Sequence, residues 1–228
     1  MIAIAARRSS DRRCPLREIR RPVGADLVAA FAEQRRSGGR ARAERLSGAL
    51  GDAIMMLMIR LVAVDDAPVL AELLTANRKF LAPWQPTRAE DFFTTDGQRE
   101  AIDTALIEHE RGITIPNVIL TDGRVVGRVT LSNIVGGPFQ SCNLGYWVDS
   151  KHNGRGLGTA AVREIVDLAF GPLGLHRVEA GTLRHNIGSQ RVLERNGFVR
   201  FGTAPAYLKI AGSWQDHVLY QAVNHSML

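Results

Sequence analysis

Cysteine is nearly missing from this 228-residue chain. Cys14 and Cys142 are the only two, with no C-x-x-C pair and no Cys/His cluster at ligand spacing. That excludes a disulfide framework and a thiolate metal site, and it predicts a reducing compartment with no bound metal. Long apolar runs are missing as well. The most apolar stretch, "AIMMLMIRLVAV" (53–64), is short and carries Arg60, against the roughly twenty residues a membrane-spanning helix needs. The opening "MIAIAA" gives way to arginines too soon for a signal peptide. A cytoplasmic protein without membrane contact is expected. Lysine is absent from residues 1–50, which hold twelve Arg and five acidic residues, whereas residues 51–228 hold seventeen basic and eighteen acidic ones. The net charge of +6 and the pI near 10.0 therefore belong to an N-terminal segment. A near-neutral body is not a generally basic nucleic-acid-binding fold.

Residues 1–53 are rich in Arg, Ala and Gly, with Phe31 as the one aromatic. They read as a flexible extension, or as sequence upstream of a start at Met55, Met56 or Met58. The other reading is an RNA-docking arm, against which the lack of interleaved aromatics counts. Residues 54–228 form the expected folded domain. A strand-like run at 55–64 leads into "DDAPVLAELLTANRKFLAPW", where Val69, Leu70, Leu73 and Leu74 fall at helical spacing and Pro83 and Pro86 close the element. A second helix is expected over 96–112. The β-rich runs of 114–135 meet at "DGR", a hairpin signal. "CNLGYWVD" (142–149) is apolar enough for a buried central strand. In "LGTAAVREIVDLAFG" (157–171), Ala161, Val162, Ile165, Val166, Leu168 and Ala169 share one face. A strand over 175–183, a helix over 186–197 and a hairpin over 207–223 complete a mixed α/β order.

Between that central strand and the amphipathic helix lies "HNGRGLGTA" (152–160), with Gly154, Gly156 and Gly158 in alternation. A glycine loop opening a helix offers unpaired N–H groups and the positive end of the helix dipole, which suits an anion; the plainer reading is a tight turn. The nucleoside-triphosphate loop fails, because no Lys-Ser or Lys-Thr follows. The dinucleotide fingerprint is closer, since Glu179 mimics its ribose-binding acid. However, the spacing here is G-x-G-x-G, "SKHN" offsets the loop from its strand, and few residues remain for further βαβ units.

A third ligand comes with a family. "NGRGLGTAAV" resembles the [QR]-x-x-G-x-[GA] pyrophosphate loop of the GNAT N-acetyltransferases. "HNIGSQRVLERNGF" resembles the second signature of their RimJ/RimL branch. "NRKFLAPWQP", "SNIVGGPFQSCNLGYWV", "LHRVEAGTLRHN" and "YLKIAGSWQDHVLY" follow the branch in the same order, over about 56–222. Asn153 departs from the usual Gln or Arg. The resemblance implies a single α/β (α+β) domain whose mixed, mostly antiparallel sheet is flanked by helices and splayed between its fourth and fifth strands. It implies acetyl transfer from acetyl-CoA to an amine by direct attack, without an acyl-enzyme and without a metal. No G-x-S-x-G elbow is present and neither Cys has a His at a telling spacing, which is consistent. Trp147, Val148 and Asp149 would pair with the pantetheine arm, and the backbone of Gly154, Arg155, Gly156, Leu157, Gly158 and Thr159 would take the pyrophosphate. Asn186 would bond the cofactor's amide portion. The Arg155 side chain either adds charge or is merely solvated.

For the acid, the wider superfamily places a Tyr where spacing gives Leu193; Ser189 is the remaining hydroxyl, either proton donor or helix-start cap. For the base, branch members often carry Glu where this chain has Phe201. Glu179 remains, either a base acting through water or an ion-pair partner of Arg177 or Arg184. Phe80, Trp84, Trp214 and Asp216 are candidates for gripping a peptide end; the other reading of the tryptophans is half-buried core. A weak base suits one substrate class. An α-amine of pKa about 7.7–8.0 is roughly a fifth to a third neutral in cytoplasm, a lysine amine of about 10.4 only about one part in a thousand. The implied acceptor is the N-terminus of a ribosomal protein beginning with Ala or Ser, with monomer and homodimer both open; the resemblance leaves out the Arg-rich segment, whose docking-arm reading would put it in weak contact with the ribosome. The alternatives are a small-amine acceptor, such as an amino acid or antibiotic, and an acetyl-CoA-binding module without turnover.

Overall fold

Asp66 ends the first strand early. Its carboxylate takes both ends of the Arg60 guanidinium at 2.7 Å and the Ala63 N–H at 2.8 Å, which turns the chain at once. Strand β1 is therefore Leu57–Leu61, shorter than the apolar run suggests. The computed structural model describes residues 57–227. The expectations for residues 1–53, Cys14 included, lie outside the described residues.

The expected long helix is broken in two. Helix α1 (Ala67–Ala76) and the short α2 (Arg78–Leu81) part at Asn77, whose side-chain nitrogen bonds both the Leu73 carbonyl and, across the molecule, Asp149. Helix α3 is Thr95–Glu110, capped by the Thr94 hydroxyl on the Gly97 N–H. Strands β2 (Ile115–Thr121) and β3 (Arg124–Val135) meet at Asp122 and Gly123, with φ of 50° and 76°. Two left-handed residues make the tight hairpin turn that "DG" predicts. Strand β4 is Ser141–Val148, α4 Leu157–Phe170, β5 Arg177–Leu183 and α5 Ile187–Arg195. The last hairpin, β6 (Val199–Ile210) and β7 (Ser213–Val223), begins eight residues before its expected start. Mostly exposed residues and Pro205 hide the strand character of 199–206, which lies on an edge where the register shifts twice.

The seven strands run in the order β1-β2-β3-β4-β5-β7-β6. Every neighbouring pair is antiparallel except β4–β5. Helix α4 covers one face, and its expected apolar residues Ala161, Val162, Ile165 and Ala169 are fully buried against Ile119, Val129 and Leu144. Burying side chains of that size contributes about 1.5–3 kcal/mol each for the larger ones. Helices α1 and α3 cover the other face through Leu70 and Ile102 on Val118 and Leu120. The parallel β4–β5 pair is short: Ser141, Cys142 and Asn143 face Arg177, Val178 and Glu179, and pairing then stops. From Leu144 to Val148, β4 keeps only its β3 neighbour, so the sheet forks at its centre as expected. Helix α5 stands by the opening, where the Tyr146 hydroxyl meets Ser189.

Candidate active site

The fork opens into a cleft of about 500 Å³. One wall is the unpaired edge of β4, with Tyr146, Trp147 and Val148; the other is α5, with Ser189 and Val192. A strand edge with no strand opposite presents free N–H and C=O groups to any extended, amide-bearing ligand. At one end lies the glycine loop. Gly154 and Gly156 have φ of 77° and 78°, conformations that a side chain would strain. Gly156 is the residue at which α4 begins, and no acidic side chain occupies that helix's first turn. Its first N–H groups have no partner within the helix, and the residues that carry them line the cleft. Gly158 lies deeper, where a Cβ would point at Val148, Val192 and Tyr146 at 3.8–4.0 Å. Any longer side chain there would grow into the cleft. Arg191 and Arg195, one turn apart on α5, add two cations to the lining. This set of strand edge, anion-binding helix start and flanking cations fits acetyl-CoA.

Phe80, Leu81 and Trp84 also line the cleft, with Trp84 against the His185 ring at 5.2 Å. The structure thus gathers Trp147, Val148, Gly154, Gly156, Leu157, Gly158, Thr159, Asn186, Ser189, Phe80 and Trp84 of the expected residues.

Five others stand apart from that lining. Asp149 is buried and spent on structure: it accepts from Asn77 at 2.8 Å and contacts His152 Nδ1 at 2.9 Å, while Asn77 Oδ1 takes the Ser150 N–H at 2.8 Å. Burial pushes the Asp149 carboxyl up, yet the bonds from Asn77 and His152 outweigh it and leave its pKa below the ordinary value. Asp149 thus anchors the loop, and His152 is the side chain it presents to the cleft. The Arg155 side chain is exposed. Glu179 lies in the last paired row below the fork, opposite Asn143, and its nearest cation is Arg177 at 3.5 Å. Arg177 is one of the two partners that its ion-pair reading named. Asp216 pairs with Arg184 at 3.6 Å and accepts the Ala206 N–H at 3.0 Å, and Trp214 is 65% exposed beside the β6–β7 turn. Trp214 is therefore not half-buried core. Leu193 packs in the core.

Tyr146, His152, Arg191 and Arg195 were not evident from the sequence. The arginines carried a faint signal, their i,i+4 spacing in the second signature; for Tyr146 nothing short of the fork shows that its hydroxyl reaches α5. Asn186 is the cap of α5, accepting the Ser189 N–H at 3.1 Å, so Ser189 is not the capping residue. The Ser189 Oγ lies 2.8 Å from the Tyr146 hydroxyl. Among the described residues no group of three or more His, Cys, Asp or Glu is placed to hold a metal, and no helix is long and apolar enough to cross a membrane.

Residues 56–199 match the acetyltransferase (GNAT) domain. The chain is 38% identical over 170 residues to the probable N-acetyltransferase YjcK of Bacillus subtilis (strain 168), covering 74% of this chain and 94% of that one. It is 34% identical over 165 residues to the ribosomal protein uS5-alanine N-acetyltransferase of Escherichia coli (strain K12), covering 72% and 85%. The solved structure of Mycobacterium smegmatis RimJ in complex with CoA-disulfide matches at TM-score 0.73 and 31% identity, over 75% of this chain and 83% of that one. With the forked sheet and the glycine loop in place, the chain belongs to the GNAT family, as an acetyl-CoA-dependent N-acetyltransferase related to the ribosomal-protein N-terminal acetyltransferases.

Proposed function

We propose that the protein acetylates the N-terminal α-amine of a protein, an Ala-starting ribosomal protein being the first candidate. The observation that carries this is the lining of the cleft: it contains no Asp and no Glu, and His152 is its one imidazole. A lysine acceptor has to be stripped of its proton by a strong base, and a polyamine calls for anionic contacts. An α-amine, already partly neutral near pH 7.4, needs neither. The uS5-alanine specificity of the Escherichia coli relative supports the same acceptor class.

In this reading, acetyl-CoA lies with its pantetheine arm along Tyr146–Val148 and its pyrophosphate on the N–H groups from Gly154 to Thr159, with Arg191 and Arg195 beside it. Asn186, whose side-chain oxygen is held by the cap, keeps its amide nitrogen for the cofactor's amide portion. Phe80 and Trp84 grip the peptide end. The neutral amine attacks the thioester carbon, the C–N bond forms, the C–S bond breaks, and Ser189 supplies a proton to the departing sulfur. The nitrogen's surplus proton passes through water and restores Ser189, so Glu179 is given no part in the step.

Thiol release tests the acceptor. Acetyl-CoA is incubated with an Ala-starting peptide, a Lys peptide with blocked N-terminus, and a panel of small amines. Release with the Ala peptide is expected; release confined to small amines, or none with any acceptor, overturns the proposal.

A further inference from the structure

The contact between Tyr146 and Ser189 supports a step beyond the assignment of Ser189 as acid, on which it rests. The Tyr146 hydroxyl is 2.8 Å from Ser189 Oγ and 3.2 Å from the Ser189 carbonyl oxygen. Asn186 performs the capping, so the serine hydroxyl is free of that task, and Tyr146 is its one hydrogen-bond partner among the described residues. Burial raises the Tyr146 pKa well above that of an ordinary phenol, only partly offset by the bond to Ser189, so the group keeps its proton throughout.

Each hydroxyl then has one proton to place. If Tyr146 donates to the carbonyl, Ser189 must donate back to the phenol oxygen, and the cleft meets only serine lone pairs. If Tyr146 donates to Ser189 Oγ, the serine proton is turned out into the cleft. Both arrangements keep the 2.8 Å contact; the second gives up the longer bond to the carbonyl, makes Tyr146 the donor to Ser189 Oγ, and is the one that leaves a serine proton for the cleft. We propose that Tyr146 is a positioning residue, donating to Ser189 Oγ so that the serine proton faces the sulfur of the departing coenzyme A. As the C–S bond breaks, the sulfur's electron pair takes that proton. Ser189 is made whole by the proton the new amide nitrogen sheds through water. Tyr146 never ionises; it stabilises the charge that builds on Ser189 Oγ.

The test measures thiol release from acetyl-CoA at saturation for wild type, Tyr146→Phe, Ser189→Ala and the double variant. Tyr146→Phe is expected to lower kcat about tenfold, the worth of one oriented hydrogen bond, with the KM for acetyl-CoA changed by less than about twofold. The double variant is expected to be no slower than Ser189→Ala, because with the serine gone nothing remains to orient. Ser189→Thr is expected to retain most of kcat in the presence of Tyr146 and to lose it when Tyr146→Phe is added. Effects that multiply across the pair overturn the proposal. So does a Tyr146→Phe kcat close to wild type, or a Tyr146→Phe chain that loses acetyl-CoA binding and thermal stability together. Protonation of sulfur is common to every amine acceptor, so the series runs on whichever amine the wild type turns over. An error in the α-amine reading shows in the wild type's acceptor profile; an error here shows in the variants' kcat.

Discussion

Asn117 sits in β2 with no exposed surface and both ends of its amide unpartnered, between Leu61 and Val129 on the neighbouring strands. A buried polar group without partners costs about 1–3 kcal/mol. Asn117→Leu, close in shape, is therefore expected to raise stability by about 1 kcal/mol, or roughly 2–4 °C in Tm; scanning calorimetry checks this, and a fall in Tm contradicts it. Asp66 shows the opposite economy. Burial pushes its carboxyl up, but the Arg60 guanidinium and the Ala63 N–H more than compensate and hold its pKa below the ordinary value. A depressed folded pKa gives stability that is complete above the unfolded value of about 3.9 and is lost as pH falls through the folded one. Asp66→Asn is expected to lower stability at neutral pH and to flatten the loss below about pH 4, as read from urea unfolding across that range.

At the scale of elements, the loop between β4 and α4 divides its glycines by task. Gly156 is there for its φ of 78°, so Gly156→Ala is expected to cost about 1–2 kcal/mol. Gly158 is helical, and an added Cβ meets only ordinary contacts at 3.8–4.0 Å. Gly158→Ala is therefore expected to leave Tm unchanged or higher while raising the KM for acetyl-CoA severalfold, because the methyl stands in the cleft. Steady-state kinetics beside a melting curve separates the two effects. The loop is also tied to α1 through Asn77 and Asp149, 72 residues apart in sequence. Asp149→Ala strands a buried amide and releases His152; a loss of about 2–3 kcal/mol and a higher KM for acetyl-CoA are expected together. These elements also show what their residues disclosed. The face of α4 was legible from its 3.6-residue period. The break at Asn77 was not, because its cause is a carboxylate that only folding brings near.

Across the whole molecule, Cys142 reports on cooperativity. It is 2% exposed in the main core beneath α4, and burial pushes its thiol up to about 12, with the Glu179 charge adding to the shift. In a Cys14→Ser background, thiol reagents are expected to label Cys142 only at the rate of unfolding; labelling at the rate of a free thiol contradicts this. Removing residues 1–53 is expected to leave peptide turnover intact, since the family match begins at residue 56; collapse of activity in the truncated chain would show that segment to be part of the enzyme.

The sequence by itself determined the order of elements, the face of α4, the turn at Asp122–Gly123 and the glycine loop. These depend on side-chain period and on backbone freedom, both of which are local. The tertiary structure alone decided which polar groups meet. Glu179 as base and Ser189 as acid each carried a structural alternative that the sequence left open. The fork puts Ser189 against Tyr146 in the cleft and leaves Glu179 in the last paired row, beside Arg177. Asp149 was placed with the cofactor because it follows the strand that holds it, but its nearest donor is Asn77, on a helix far away in sequence. A carboxylate's role is set by whichever cation or N–H reaches it first, and that is a property of the packed sheet, not of the residue.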